Sequence, residues 1–230
     1  MYTLKIQKLR NQVARVDNTL EKVNLLTQAI RIADENQDIE WGYDLRLDLI
    51  SEEIDLAFST ESLPAFAWIL QAYDENPELF NEEDFLWQYK WMMSELYDNP
   101  AVSREQIEAA LGDFEKRLIR NGYGKRAIHN EELSDALAQK DIAAVERALK
   151  NVNAVQRDDM SDCEACEMDA EVAAILLQQG YAPAVEKALP LIEGQFTCAH
   201  VPLRTAVNLA YEGYKHGDVE QANSMAELAE

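Results

Sequence analysis

Apolar residues recur along this chain three or four positions apart, with polar residues between them, which is the spacing of one helix face. Leu20, Val23, Leu26, Ile30 and Ala33 form one such stripe. Asn18 and Glu21 at its start have capping-box spacing: the Asn side chain can accept from an orphan amide while the Glu reaches back. A second stripe, Tyr43, Leu47, Ile50, Ile54 and Phe58, predicts a helix over about 38–58. A third, Phe66, Ile69, Leu70 and Tyr73, predicts one over about 62–74, which Asn76-Pro77 should end. Asn81 can cap a fourth, whose first turn holds Glu82, Glu83 and Asp84, favoured at the positive end of a helix dipole. Ser103 and Gln106 fit a capping box for a fifth, and Asn121-Gly122 should terminate it. No Asn-Gly or Asp-Gly sits between alternating apolar runs, so the pattern predicts an all-α protein.

A loose repeat runs through the second half. Lys140–Leu149 (KDIAAVERAL) is similar to Gly180–Leu189 (GYAPAVEKAL), and Gly217–Ala222 is similar to both. Aligning Val145, Val185 and Ala222 gives spacings of 40 and 37 residues. Each copy should lie where one helix turns into the next, with Ala143, Ala144, Ala182 and Ala184 small enough for close approach. These residues resemble the Gly-Asp-x-x-x-Ala turn of tetratricopeptide-type repeats, which have a period of about 34 residues. The copies here are longer, and the signature Trp, Gly and Pro positions are mostly absent. The resemblance covers about residues 125–230. It implies an α-solenoid of stacked antiparallel helix pairs, with about 10–12 helices. On this reading residues 1–230 form one helical-repeat domain, with aromatic-rich acidic helices in 1–120 and the repeat-like part in 121–230. Such arrays commonly present a concave face to another protein. Gln221 to Glu230 reads as the start of a helix with no stop signal.

Composition narrows the partners. The chain has 230 residues, of which 47% are hydrophobic, enough to bury a core. With 8 Gly and 6 Pro it lacks the turn formers of a β-sandwich. A formal net charge of −22 argues against nucleic acid or an anionic membrane as a general partner. No apolar run reaches the roughly 18–20 residues of a membrane helix, and Met1–Arg15 lacks the features of a secretory signal. The 3 cysteines are odd in number and confined to the last third, which fits a reducing compartment, so a cytoplasmic location is expected. The charge is uneven. Residues 34–115 hold 22 acidic groups against Arg46, Lys90 and Arg104, whereas residues 1–33 are net basic.

The cysteines carry the sharpest chemical signal. Cys163-x-x-Cys166 is followed, after 31 residues, by Cys198-x-His200. Three thiolates and an imidazole are a standard tetrahedral set for structural Zn²⁺. Ser161 and Glu164 have capping-box spacing, which would put Cys163 and Cys166 near a helix start and on one face. Pro202 suits the first turn of a following helix, leaving Cys198 and His200 just before it. Zinc there would pin two neighbouring repeats. The chain also resembles bacterial helical-repeat proteins with a Cys-x-x-Cys…Cys segment. Small buried cysteines or a redox pair are the alternatives, the latter without a thioredoxin-like βαβ context.

The centre of the chain offers a second surface. Phe85 to Met93 is apolar around most of a helix, so its aromatic residues belong in a core. The alternative is that Trp87 and Trp91, one turn apart, are exposed anchors beside Asp74, Glu75, Glu82, Glu83 and Asp84, selecting a partner with a basic surface. Phosphate-loop, nucleophile-elbow, zinc-protease, Rossmann and EF-hand motifs are absent. The reading favoured by the sequence is a non-enzymatic protein-interaction scaffold with a structural zinc. An acidic decoy, inhibitor or immunity-type protein that binds a basic protein is the alternative. A metal-dependent hydrolase using Asp159, Asp162 or Glu164 as base ranks third.

Overall fold

A computed structural model describes residues 1–53, 61–198 and 201–228. Twelve α-helices and one 3-10 turn account for its regular structure, with no strand among the described residues. None of these helices is long and apolar enough to cross a membrane. The chain divides into two compact units, Met1–Glu95 and Leu96–Glu230.

The first unit holds α1 (Tyr2–Val13), α2 (Thr19–Glu35), α3 (Ile39–Glu53), α4 (Ser62–Glu75), the 3-10 turn Pro77–Leu79, and most of α5 (Glu82–Asp98). Asn18 Oδ1 accepts from the Glu21 amide at 3.0 Å, starting α2 where the sequence places it. Leu26, Ala29, Ile30 and Ala33 are buried, but Leu20 is exposed, so the apolar stripe begins a turn later than its pattern suggests. On α3 the burial extends beyond the expected Tyr43–Ile50 stripe to Leu45, Arg46 and Leu49. The expected stripe positions Ile54 and Phe58 lie outside the described residues.

Aromatic rings tie α3, α4 and α5 together. Tyr43 stacks on Phe80 (centroids 4.1 Å), Tyr73 stacks on Phe85 (3.9 Å), and Phe66 meets Tyr89 edge-on (5.0 Å). Such pairs add directional preference to the area that they bury. Arg46 is buried yet satisfied: it bonds both Asp34 carboxylate oxygens (3.1 and 2.8 Å), donates to the Gly42 carbonyl and lies 3.9 Å from the Trp68 ring centroid. Gly42 makes that possible, because a Cβ there would come within 2.9 Å of the Trp68 ring.

The second unit holds α6 (Arg104–Arg120), α7 (Arg126–Gln139), α8 (Ile142–Ala154), α9 (Glu164–Gln179), α10 (Tyr181–Ile192), α11 (Val201–His216) and α12 (Val219–Leu228). Ser103 and Gln106 form a full reciprocal capping box. Consecutive helices pair as α7–α8, α9–α10 and α11–α12, and α9 also touches α7 and α11. The similar segments found in the sequence do fall at the turns within these pairs.

Two of these turns share one geometry. Lys140 (φ 57°) and Gly217 (φ 77°) are left-handed, and the next residue, Asp141 or Asp218, caps the following helix through its side chain. The Asp amide bonds back to Ala136 or Gly213 at 3.0 Å, which closes a Schellman-type turn. The same device joins α2 to α3, where left-handed Gln37 (φ 54°) precedes Asp38, whose amide bonds to Ala33. The sequence does not advertise this copy, because Gln37 occupies the position that Gly217 marks. The α9–α10 turn differs: Gly180 (φ 93°) ends one helix and starts the next without a side-chain cap.

Candidate metal centre

Cys163 is itself the N-cap of α9. Its backbone is extended (φ −64°, ψ 157°) and its sulfur accepts from the Cys166 amide at 3.4 Å. The expected Ser161 cap is therefore displaced by two residues. Ser161 is occupied instead by Asp158: its hydroxyl accepts from the Asp158 amide (2.9 Å) and donates to the carboxylate (3.2 Å). A sulfur at the N-cap meets amides that have no partner within the helix.

Cys166 follows in the first turn, three residues on and on the same face. The Cys163 and Cys166 sulfurs are 3.3 Å apart. Cys198 arrives from the link between α10 and α11, and all three sulfurs lie within 4.8 Å of one another. With Zn–S bonds of about 2.3 Å, a tetrahedral site separates its sulfurs by about 3.8 Å, so this trio fits one ion after small adjustments. His200, the fourth expected ligand, lies outside the described residues.

The surrounding chain holds the sulfurs in place. Ala165, Leu191 and Val201 form a buried cluster against which Cys166, Met168, Phe196 and Cys198 pack. Asp169 of α9 bonds Thr205 and Arg204 of α11, which fixes the far side of the Cys198 link. On the near side Asp158 accepts from the Gly124 amide at 2.6 Å. Arg157 donates to the Asp162 carbonyl and to Glu167. Arg126 of α7 donates to the Val152 and Val155 carbonyls and grips Glu167 with both arms. Burial pushes the Glu167 carboxyl up, but bonds from Arg126 and Asn130 and the charge of Arg157 outweigh it, holding the group below the usual range. No local pattern in the sequence points to this clamp, since Arg126 and Glu167 are 41 residues apart.

Ionising all three sulfurs together would need a cation. Burial raises the Cys166 thiol, and Cys163, Cys198 and Asp162 raise it further. Three thiolates cannot coexist there without compensating positive charge. A divalent ion would reverse the balance and hold the sulfurs deprotonated. All three cysteines are free rather than joined in a disulfide.

The acidic and aromatic residues singled out in the centre of the chain lie on α4 (Asp74, Glu75) and on α5. Phe85, Leu86, Tyr89, Met92 and Met93 are buried as the core expectation requires, but Trp91 is 52% exposed. Trp87 is half-buried, with its ring centroid 6.2 Å from that of Trp91 and 4.5 Å from the Lys90 ammonium. Asp74, Glu75, Glu83 and Asp84 are exposed, whereas Glu82 accepts from the Tyr73 hydroxyl at 2.7 Å.

The chain matches no protein-family model, no curated protein and no solved structure. What the site can do therefore follows from its geometry.

Proposed function

We propose that the protein is a helical-repeat interaction scaffold of tetratricopeptide-like type, with a structural zinc that pins adjacent helix pairs. The observation that carries this is the position of the cysteines. Cys163 and Cys166 open α9, and Cys198 lies in the link that leads to α11, so one ion would join two successive pairs. The repeated left-handed residue followed by a capping Asp supports the repeat reading. So does the contact of α9 with both α7 and α11, as expected of leading helices in a stack. His200 completes the ligand set in this reading. A closed set of four leaves no open position for water, which favours a structural ion over a catalytic one.

The partner in this reading is a protein with a basic surface, met by Trp91, Trp87 and the acids near the start of α5. Exposed Trp is the residue type that most often anchors protein interfaces. Two measurements test the proposal. Native mass spectrometry of protein purified without chelator should find one zinc per chain, and metal-free protein would sink the zinc. Affinity capture from the source cell should retain a stoichiometric partner on the wild type and lose it on Trp91→Ala. Equal capture by both would remove the anchoring surface.

A further inference from the structure

A cleft of about 330 Å³ lies within the first unit, lined by Glu40, Tyr43, Asp44 and Leu47 of α3 and by Leu79, Phe80, Asn81 and Asp84. Three carboxylates face it. Arg10, the cation that acts on Asp44, is committed to Asp48 at 2.7 Å. Asn81 is likewise occupied, capping α5 through the Asp84 amide. Acidic side chains alone would mean little on a chain with this charge. Tyr43 is what distinguishes the cleft. The residue is 6% exposed, and its buried hydroxyl has no hydrogen-bond partner among the described residues. Tyr43 lines the cleft together with Asp44 and Asp84, and both carboxylates, with Tyr73, act on its hydroxyl. A buried hydroxyl left without a partner is costly and rare, so one beside acidic side chains can gain from an entering donor.

The lining suits an organic cation better than a metal ion. Glu40, Asp44 and Asp84 do not converge to chelating distance; the cysteine trio is the one group among the described residues that does. A cation that reaches separated carboxylates must be extended. Leu47, Leu79 and Phe80 supply apolar wall for an alkyl stem, and the Phe80 ring, stacked on Tyr43, supplies an aromatic surface. A guanidinium meets all of these at once. It is planar, donates five hydrogen bonds in a fixed fork and packs on rings.

We propose that this cleft receives an arginine side chain presented by a protein partner. The guanidinium bonds Asp44 and Asp84, with the Tyr43 hydroxyl as a further acceptor and Glu40 at the rim. This rests on the scaffold reading and gives the partner a further contact, which shares Asp84 with the acids beside the Trp91 surface and needs no zinc.

The test is a ¹⁵N NMR titration of the full chain with two probes, acetyl-arginine amide and a capped peptide with one arginine between neutral residues. Both should cause saturable shifts confined to residues 40–47 and 79–84, with the peptide binding more tightly. Asp44→Asn with Asp84→Asn should weaken binding about tenfold or more, as expected for losing charge-assisted hydrogen bonds. Tyr43→Phe, which keeps the stacked ring, should weaken it less. Asp17→Asn with Glu35→Gln removes the same charge from exposed positions elsewhere and should leave affinity within about twofold. Shifts spread over the acidic surface, or equal affinity in the two double variants, would overturn the proposal. If the cleft fails while a partner is still captured, the scaffold reading stands. If the cleft binds arginine but no partner is ever captured, that reading falls instead.

Discussion

Arg126 of α7 grips Glu167 of α9 in a two-armed ion pair, Nε to Oε1 at 2.8 Å and Nη2 to Oε2 at 2.7 Å. Both side chains are nearly buried, 12% and 11% exposed. Because Glu167 follows Cys166, this pair fixes the cysteine-bearing end of α9 against the preceding helix pair. Removing one partner strands a buried charge, which costs about 3–5 kcal/mol, whereas replacing both by apolar groups is often nearly neutral. Glu167→Met should therefore lower the urea midpoint strongly, and Arg126→Met with Glu167→Met should recover much of the loss. A double variant no more stable than the single one would show that Arg126 acts mainly through the Val152 and Val155 carbonyls.

The shared turn gives a prediction of opposite signs. Lys140 and Gly217 hold equivalent left-handed positions, each followed by a capping Asp. A side chain in this conformation costs about 1 kcal/mol, and glycine avoids that cost. Lys140→Gly should raise stability by about 1 kcal/mol, and Gly217→Ala should lower it by a similar amount. Thermal melts of the two variants would check this. A shift of the same sign in both would mean that the turns are not equivalent.

The same turn shows what the sequence reveals and what it hides. Helix existence was legible because burial enforces a period near four, and caps such as Asn18, Asn81 and Ser103 have strong local chemistry. The Gly217 turn was legible because glycine marks a left-handed residue. Its counterpart at Gln37 was not, since there Asp38 and the packing of α2 on α3 impose the conformation on an ordinary residue. The cysteine spacing pointed to one site, and the three described sulfurs do meet. The clamp around it was invisible, since local pattern cannot pair Arg126 with Glu167. Tyr43 read as a core residue and is buried as one; only the structure shows its hydroxyl left without a partner beside an acidic cleft.

Buried tyrosines predict alkaline lability. Burial, then the nearby charges of Asp84 and Asp44, pushes Tyr43 up to about 12 from an ordinary value of 10.0. Burial also raises Tyr97, which Glu131 and Asp135 raise further, and it raises Tyr181 beside Asp218. A folded-state value above the unfolded one means that stability is intact below about pH 10 and is lost as pH climbs through the folded values. Tyrosinate absorbance and circular dichroism should therefore change together for this subset above about pH 10. Tyr43→Phe should reduce the alkaline loss. Ionisation of every tyrosine near pH 10 without loss of helix would contradict the burial.

Metal removal should be felt locally first. The sulfurs of Cys163 and Cys166 are 3.3 Å apart and Cys198 is close to both, and burial, then the neighbouring sulfurs, raise the Cys166 thiol, so without an ion Cys166 keeps its proton. Binding must displace that proton, so affinity should fall as pH drops and competition with the thiolates grows. Chelator treatment should lower the melting temperature. It should also speed hydrogen exchange in the first turn of α9 and in the Phe196–Cys198 link, ahead of the helices of the first unit. Cys198→Ser should reproduce this without chelator. His200→Ala should weaken zinc retention less than loss of a thiolate, because thiolate is the stronger ligand for zinc at neutral pH. The exchange pattern separates a structural ion from an adventitious one. Zinc loss that leaves α9 and the link unchanged would mean that the cysteines bind metal without holding the two helix pairs together.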